Sequence, residues 1–207
     1  TKQLNEHPVA DLEYPKLRKS LPKYLTFEES SALLQAVSGP NAKRDYAILM
    51  LFLNCGIRRS ELVGLNLTDV YEDRIRVVGK GNKERFVPIG SSLQRMILRY
   101  IKARKLYIAE KKKTDNIRLF ISKDCRPLSV GGLNTVFAHI KENKPHWSTR
   151  VSAHTFRHTF ATRAIENDMN PKTLQRILGH SSLQMTMNLY CHVSDDTLFD
   201  EMKKMEK

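Results

Sequence analysis

The chain has 207 residues, of which 41% are apolar, so it can close one hydrophobic core but is too short for two full domains. Lysine and arginine together number 35 against 22 acidic residues, and the resulting charge of +13 indicates a polyanion such as nucleic acid as the partner. No CxxC pair joins the 3 cysteines and no apolar run approaches the roughly 20 residues that span a bilayer, so we expect neither a disulfide framework nor a membrane span.

The first predicted elements are a linker and two helices. Residues 1–23 carry 3 prolines among charged residues with little periodicity, so we expect an extended linker that enters a domain. Thr26 and Glu29 have the spacing of a capping box, which predicts a helix that stops at Gly39. Residues 45–55 are apolar on nearly every side, and this pattern predicts a buried central helix.

Further along, the pattern changes from helix to strand and back. In "RIRVVGKGNKERFVPIG", two short β-branched runs flank a Gly-Asn turn and predict a β-hairpin. The apolar run "RLFIS", residues 118–122, is a candidate third strand. Helices are predicted over 92–107, 129–141, 153–166, from Pro171 to a stop at Gly179, over 182–189 and over 195–204.

The stretch "AHTFRHTF", residues 153–160, places polar residues at a helix start. His154, Arg157 and His158 fall within an arc of about 100° on one face, where amide donors and the helix dipole favour an anion such as phosphate. Histidines four positions apart also suit zinc, yet "HTFRH" lacks the glutamate of the HExxH motif and has a cation between the histidines. For His158 alone, a hydrogen bond inside a polar pocket is an equally good interpretation.

Five motifs follow one another along the chain, namely "CGIRRSELVGL", "GKGNKERFVP", "HTFRH", "LGHSS" and "LYCH". In that order they resemble the motifs of the tyrosine recombinases, also called the phage integrase family, over residues 21–193. The residues matched to the family's catalytic positions are Arg58, Lys80, His154, Arg157, His180 and Tyr190, with Glu61 at its acidic position. Lys83 stays open as the alternative to Lys80, because the hairpin turn can be aligned in more than one way. The resemblance implies a mixed α/β domain, mainly α-helical with a small antiparallel β-sheet, which is the fold of a tyrosine recombinase catalytic domain.

The resemblance also implies a reaction, site-specific recombination that integrates or excises DNA. The strand is cleaved and rejoined through a covalent 3′-phosphotyrosine on Tyr190, without a metal ion or a cofactor. Arg58 and Arg157 suit the charged transition state, because guanidinium groups stay charged and bind phosphate oxygens at two points. The other implied roles are those of Lys80 as general acid, His154 in acid–base or phosphate-bonding work near the tyrosine, His180 as a donor to the phosphate and Glu61 as a carboxylate that orients its neighbours. Direct DNA contacts are expected from Arg59, Lys83 and Arg85.

The resemblance further implies how the chain is organised and with what it works. Residues 1–20 are expected to be a linker from a missing N-terminal core-binding domain, 21–193 the catalytic domain, and 194–207 a C-terminal tail that can dock onto a neighbouring protomer. The implied partner is double-stranded DNA at specific recombination sites, on which the full-length protein forms a homo-tetramer. A cytoplasmic, DNA-associated place in a prokaryote is expected, with no membrane partner.

Three other functions stay open. A DNA-binding module without catalysis would need the same basic charge, and a type IB topoisomerase-like enzyme would share the tyrosine chemistry without needing partner sites. A metal-dependent hydrolase at His154 and His158 is the most distant of the three. Within the recombinase interpretation, mobile-element integration and chromosome dimer resolution fit the sequence equally well.

Overall fold

The fold is mainly helical, with a two-stranded antiparallel sheet. It is given by a computed structural model that describes residues 24–143 and 151–188. In chain order its elements are α1 (Phe27–Gln35), α2 (Ala42–Cys55), α3 (Arg59–Gly64), β1 (Arg74–Val78), β2 (Glu84–Pro88), α4 (Ser91–Glu110), α5 (Val130–Asn143), α6 (Ala153–Glu166) and α7 (Pro171–Leu178), followed by a helical segment over 183–188. The predicted fold class, mixed α/β with mainly helices, is confirmed. Among the described residues, no helix is both long and apolar enough to cross a membrane.

α1 begins at the predicted capping box but ends at Gln35, four residues before the predicted stop at Gly39, whereas α2 ends where the sequence predicts. The Thr26 hydroxyl accepts from the Glu29 N–H at 3.2 Å and the Glu29 carboxylate accepts from the Thr26 N–H at 2.9 Å, so the capping box is confirmed. α2 packs against α4 and α6, buried along most of its length as predicted for 45–55. It ends at Gly56, whose φ of 56° is left-handed and whose α-hydrogen leaves room for the Phe160 ring.

The predicted hairpin is present as β1 and β2. Ile75 lies opposite Val87 and Val77 opposite Arg85 in an antiparallel register. The side chains of Ile75, Val77 and Val87 are buried against the core, while Phe86 on the other face is half exposed. The connection is a tight 3₁₀ turn at Lys80–Asn82, which carries the lysine predicted as general acid out into solvent.

The predicted third strand is wrong. The three central residues of 118–122 are buried as their apolar character indicates, but the backbone makes only isolated bridges. Arg118 pairs with Asn66, just after α3, and Ile121 pairs with Pro127 across a short loop. An apolar run predicts burial, whereas a strand also needs a partner that stays alongside it, and here each partner does so for a single residue.

The later helices place the functional side chains. The predicted helices over 92–107, 129–141 and 153–166 are found as α4, α5 and α6. α6 is held on α2 by Phe156, which is fully buried and stacks on Phe52 with ring centroids 6.0 Å apart. α7 starts at Pro171, stops at Gly179 and packs against both β2 and α6, as its local signals predict. The N-terminal part of α6 and the C-terminal end of α7 meet on one side of the molecule.

Candidate active site

The C-terminal end of α7 holds three arginines from three other parts of the chain. The last carbonyls of a helix have no partner within the helix, and the helix dipole favours cations there. The bonds run from Arg85 Nε to Ile177 O at 2.7 Å, from Arg157 Nη2 to Leu178 O at 2.7 Å and from Arg58 Nη2 to Gly179 O at 3.0 Å. We call Arg58, Arg85 and Arg157 the arginine cluster. Three consecutive carbonyls at the C-terminal end of α7 therefore hold the three guanidinium groups of the arginine cluster in place.

Arg157 is the central member of the cluster. Its other terminal nitrogen donates to the carbonyl of Gly56, so the guanidinium spans the C-terminal ends of α2 and α7. Burial lowers the pKa of Arg157 to about 10, with the charges of Arg58 and Arg85 acting in the same direction and Glu61 opposing them. Arg157 is still charged at neutral pH, but its charge lacks full compensation within the protein.

Glu61 is the carboxylate that Arg58 and Arg85 share. It is 4% exposed and accepts from the Arg58 backbone N–H at 2.7 Å, from Arg58 Nη1 at 2.9 Å and from both terminal nitrogens of Arg85 at 2.8 Å. Burial acts to raise the pKa of Glu61, but the bonds from Arg85 and Arg58 outweigh it and the pKa is lowered. The same contact to the Arg58 N–H caps α3, a short helix that the sequence pattern did not predict.

His180 follows the left-handed residue that ends α7. Its Nδ1 lies 2.9 Å from the hydroxyl of Thr186, a fully buried residue of the helical segment 183–188. Burial lowers the pKa of His180 to about 4, and Arg157, Arg58 and Arg85 add to the effect. His180 is therefore a neutral imidazole at pH 7. No signal in the sequence pointed to Thr186, because a spacing of six residues from the histidine matches no local motif.

Two adjoining cavities of about 600 and 860 Å³ open beside the arginine cluster. Arg58, His180 and Met185 line both cavities, which therefore form one trough. The sequence-predicted residues that also line it are Arg59, His154 and Arg157 in the first cavity and Lys80, Lys83 and Arg85 in the second. The structure thus brings together every described residue that the sequence assigns to the site, with Glu61 buried behind the trough.

The polar side chains at the rim of the trough differ from the arginine cluster in being exposed. Lys80 and Lys83 are both exposed on the hairpin turn and both line the second cavity, so the structure leaves the two lysines equivalent as general-acid candidates. Arg59 and His154 are exposed at the first turns of α3 and α6 and line the first cavity. These side chains are open to a ligand that enters the trough.

Two histidine predictions of the sequence now have a location. His158 is not among the residues that line the trough, and its ring lies edge-on to that of Tyr24 with centroids 6.3 Å apart. In the part of the chain that the structure describes, no three residues among His, Cys, Asp and Glu come together as a set that could hold a metal ion.

Several sequence predictions lie outside the described residues. These are the nucleophile Tyr190, the linker 1–20, the helix 195–204 and the tail 194–207. The last described residue, Asn188, stands two positions before Tyr190. The roles assigned to these segments stay predictions.

Arg85 is the residue whose surroundings differ most from expectation. The sequence predicts a DNA contact, but all three guanidinium nitrogens of Arg85 already donate to Glu61 or to Ile177. A signal for this was present in the sequence. Arg85 and Val87 are two positions apart on β2, and alternation along a strand puts them on the same, inward face.

Comparison with known proteins agrees with this geometry at the level of fold and family. The catalytic domain of bacteriophage HP1 integrase superimposes with a TM-score of 0.60 at 24% identity, covering 87% of this chain and 93% of that one, which shows a shared fold. The XerA recombinase crystal structure matches with a TM-score of 0.72 at 29% identity, over 89% of this chain and 65% of that one. The molecule therefore has the fold of a recombinase catalytic domain.

The sequence comparison defines the family. The profile of the phage integrase family matches residues 23–197, and the chain belongs to that family. The tyrosine recombinase XerC of Caldanaerobacter subterraneus subsp. tengcongensis is 41% identical over 207 residues, covering 98% of this chain and 56% of the relative. The chain thus spans little more than half the length of that curated relative.

Proposed function

We propose that this chain is the catalytic part of a tyrosine-type, site-specific DNA recombinase. The observation that carries the proposal is the arginine cluster beside the trough: three guanidinium charges stand against the one carboxylate of Glu61, which bonds Arg58 and Arg85, so the group has an excess of two positive charges. A phosphodiester brings one negative charge, and its transition state gathers further charge on the non-bridging oxygens. The excess charge of the cluster suits that transition state.

The cluster is also in place before DNA arrives. Because Arg58 and Arg157 are already bonded to backbone carbonyls, no reorganisation is needed when charge develops on the phosphate. His180 is neutral at pH 7, and its Nδ1 lies 2.9 Å from the Thr186 hydroxyl; we assign this hydroxyl as the donor to Nδ1, which places the imidazole proton on Nε2. In that tautomer His180 is a hydrogen-bond donor to the phosphate.

The proposed reaction conserves the energy of the phosphodiester. The phenol oxygen of Tyr190 attacks phosphorus while the bond to the 5′ oxygen breaks, and His154 takes the phenol proton. The departing 5′ oxygen receives a proton from Lys80, with Lys83 as the alternative, and leaves as a hydroxyl. The 5′ hydroxyl of a second strand then gives its proton to the deprotonated lysine and attacks the phosphotyrosine, and the bond to Tyr190 breaks as the phenol oxygen takes its proton back from His154. The chemistry requires neither a metal ion nor a cofactor.

The partners and the organisation of the whole protein are part of the same proposal. Double-stranded DNA at specific sites is the substrate, supported by the charge of +13 and by the name of the recombinase relative, XerC. Residues 21–193 act as the catalytic domain, with 1–20 as a linker from a preceding domain and 194–207 as a tail that docks onto a neighbour. Four protomers assemble on DNA in the prokaryotic cytoplasm.

The test is covalent capture. The chain is incubated with a nicked suicide duplex of its recombination site, beside Tyr190→Phe, and both are run on a denaturing gel. We expect a protein–DNA adduct with the native chain and none with Tyr190→Phe, because only the tyrosine oxygen can hold the cleaved strand. An equal adduct from both would remove the assigned nucleophile.

Two further arms separate the rival functions. DNA affinity should fall with salt, with a log–log slope of about −0.9 for each phosphate contact, and Tyr190→Phe should keep that slope. Salt-dependent binding without any adduct would favour a DNA-binding module that lacks catalysis. Relaxation of a supercoiled plasmid without a recombination site would favour the topoisomerase-like enzyme.

A further inference from the structure

The Arg85 guanidinium is held in three directions in the wall of the trough. Its terminal nitrogens meet the two oxygens of Glu61 at 2.8 Å each, and its Nε donates to the Ile177 carbonyl at 2.7 Å. Only 13% of the side chain is exposed. A planar fork can make this arrangement, whereas the ammonium of a lysine can replace the charge but not the paired contacts.

Arg58, like Arg85, is bonded to the Glu61 carboxylate and to a main-chain carbonyl at the end of α7. Its Nη1 meets Glu61 Oε1 at 2.9 Å, so this one oxygen accepts from both guanidinium groups. Its Nη2 donates to the Gly179 carbonyl, two residues beyond the carbonyl that Arg85 holds. Arg85 therefore fixes both the carboxylate and the helix end on which the orientation of Arg58 depends.

Gly179 shows how closely Arg85 is packed into the backbone. Its φ is 63°, and a Cβ there would lie 3.0 Å from Arg85 Nη1 and 3.1 Å from Cζ. The guanidinium of Arg85 thus lies against the residue that directly precedes His180. Contacts of Arg85 reach the surroundings of two of the groups assigned to the phosphate, Arg58 and His180.

We propose that Arg85 is a positioning residue of the reaction: it holds the Glu61 carboxylate and the C-terminal end of α7 so that Arg58 is aimed into the trough. This role rests on the proposed recombinase function and replaces the DNA contact expected from the sequence. It predicts a defect in the rate of strand cleavage with little change in DNA affinity, because only 13% of the Arg85 side chain is exposed and each of its three nitrogens already has an acceptor.

The experiment measures single-turnover cleavage of the suicide duplex by Arg85→Met and Arg85→Lys. Arg85→Met should cleave about 10–100-fold more slowly, the loss typical when a partner that orients a functional side chain is removed. Arg85→Lys keeps the charge and should remain at least about tenfold slow, because it cannot reproduce the paired bonds to Glu61. DNA affinity, measured at the same salt, should change by less than about twofold, as expected for a group without a phosphate contact.

A matched control lies on the same hairpin. Arg76 bonds the buried carboxylate of Asp69 at 2.8 Å, as Arg85 bonds Glu61, but it lies outside the trough lining. Arg76→Met should therefore lower the free energy of unfolding by a similar amount while the cleavage rate stays near that of the native chain. Equal slowing by Arg76→Met would mean that the Arg85 effect is only a loss of fold stability.

The outcomes distinguish this proposal from the function on which it rests. A native cleavage rate in Arg85→Met or in Arg85→Lys overturns the positioning role while the native adduct still supports the recombinase. A loss of DNA affinity that accounts for the slowing restores the DNA contact in its place. If Arg85→Met does not fold, the rate of Arg85→Lys decides alone, and absence of an adduct from the native chain overturns both proposals.

Discussion

The arginine cluster supplies the trough with cations that are bonded to the protein, whereas the turn that carries Lys80 and Lys83, here called the lysine turn, supplies exposed ones. Arg58 and Arg157 are bonded to backbone carbonyls at helix ends, and Arg58 is bonded also to Glu61. Lys80 and Lys83 stand on an exposed turn between β1 and β2. Charge that must be present throughout the reaction gains from being fixed in advance, whereas a group that delivers a proton gains from a flexible four-carbon stem.

The largest effect is expected at the lysine turn. Lys80→Ala should slow cleavage about 10²–10⁴-fold, the usual contribution of a general acid, while the free energy of unfolding changes by less than about 0.5 kcal/mol. Lys83→Ala, on the same exposed turn, tests the alternative general acid: with Lys80 as the acid it should slow cleavage far less than Lys80→Ala does, and the reverse order would assign the proton transfer to Lys83. The measurements are single-turnover cleavage and chemical denaturation.

The leaving group offers a sharper check on the same variant. A duplex with sulfur in place of the departing 5′ oxygen should restore cleavage by Lys80→Ala, because a thiolate leaves without needing a proton. If the sulfur duplex rescues cleavage by Lys83→Ala instead, the general acid is Lys83 and not Lys80. No rescue in either variant would contradict a lysine general acid on this turn.

The cluster should respond in both activity and stability. Arg157→Lys keeps a positive charge but cannot bond the carbonyls of Gly56 and Leu178 together, so cleavage should fall about 10²–10³-fold. Leaving a buried acceptor unsatisfied should also lower the free energy of unfolding by about 1–3 kcal/mol. Denaturation curves check the second effect, and the sulfur duplex should not rescue the first. Native stability in Arg157→Lys would contradict the view that the cluster is built into the fold.

The smallest effect concerns pH. Because the pKa of His180 in the folded chain is lowered from 6.5 to about 4, the unfolded chain takes up this proton first as the pH falls. The stabilisation from neutral His180 is complete above about pH 6.5 and is lost as the pH falls through 4. The free energy of unfolding should therefore decrease less between pH 7 and 4 in His180→Gln than in the native chain. An NMR titration of His180 with its midpoint near 6.5 would show that the cluster does not act on the imidazole.

Local signals allowed much of the fold to be predicted from the sequence. Thr26 and Glu29 set the start of α1, and Pro171 and Gly179 set the limits of α7, because each acts through bonds to its immediate neighbours. The third strand failed at 118–122, since strand pairing depends on what lies beside the run rather than on the run itself. Helix and hairpin could thus be read from the chain, but the partner of an isolated apolar run could not.

The candidate site divides in the same way. Arg58 and Arg157 follow from motif order, and the structure places both beside the trough. The paired contact of Arg85 with Glu61 joins residues 24 positions apart, and the bond of Arg85 to Ile177 joins residues 92 apart. Only the period of β2 hinted that Arg85 faces inward. The hydroxyl of Thr186 near His180 had no such hint.

The arginine cluster is bonded to main-chain carbonyls at the end of α7, and this determines which sequence changes the site can tolerate among related chains. No substitution at Ile177 or Leu178 can remove a main-chain carbonyl, so the bonds to the arginines do not depend on which side chains these residues carry. A change in the length of α7 has a different effect. Inserting one residue before the helix end would turn that end by about 100° and advance it by about 1.5 Å, which would aim the carbonyls away from the arginines. Alignments of such chains should accordingly tolerate exchanges within α7 but not gaps.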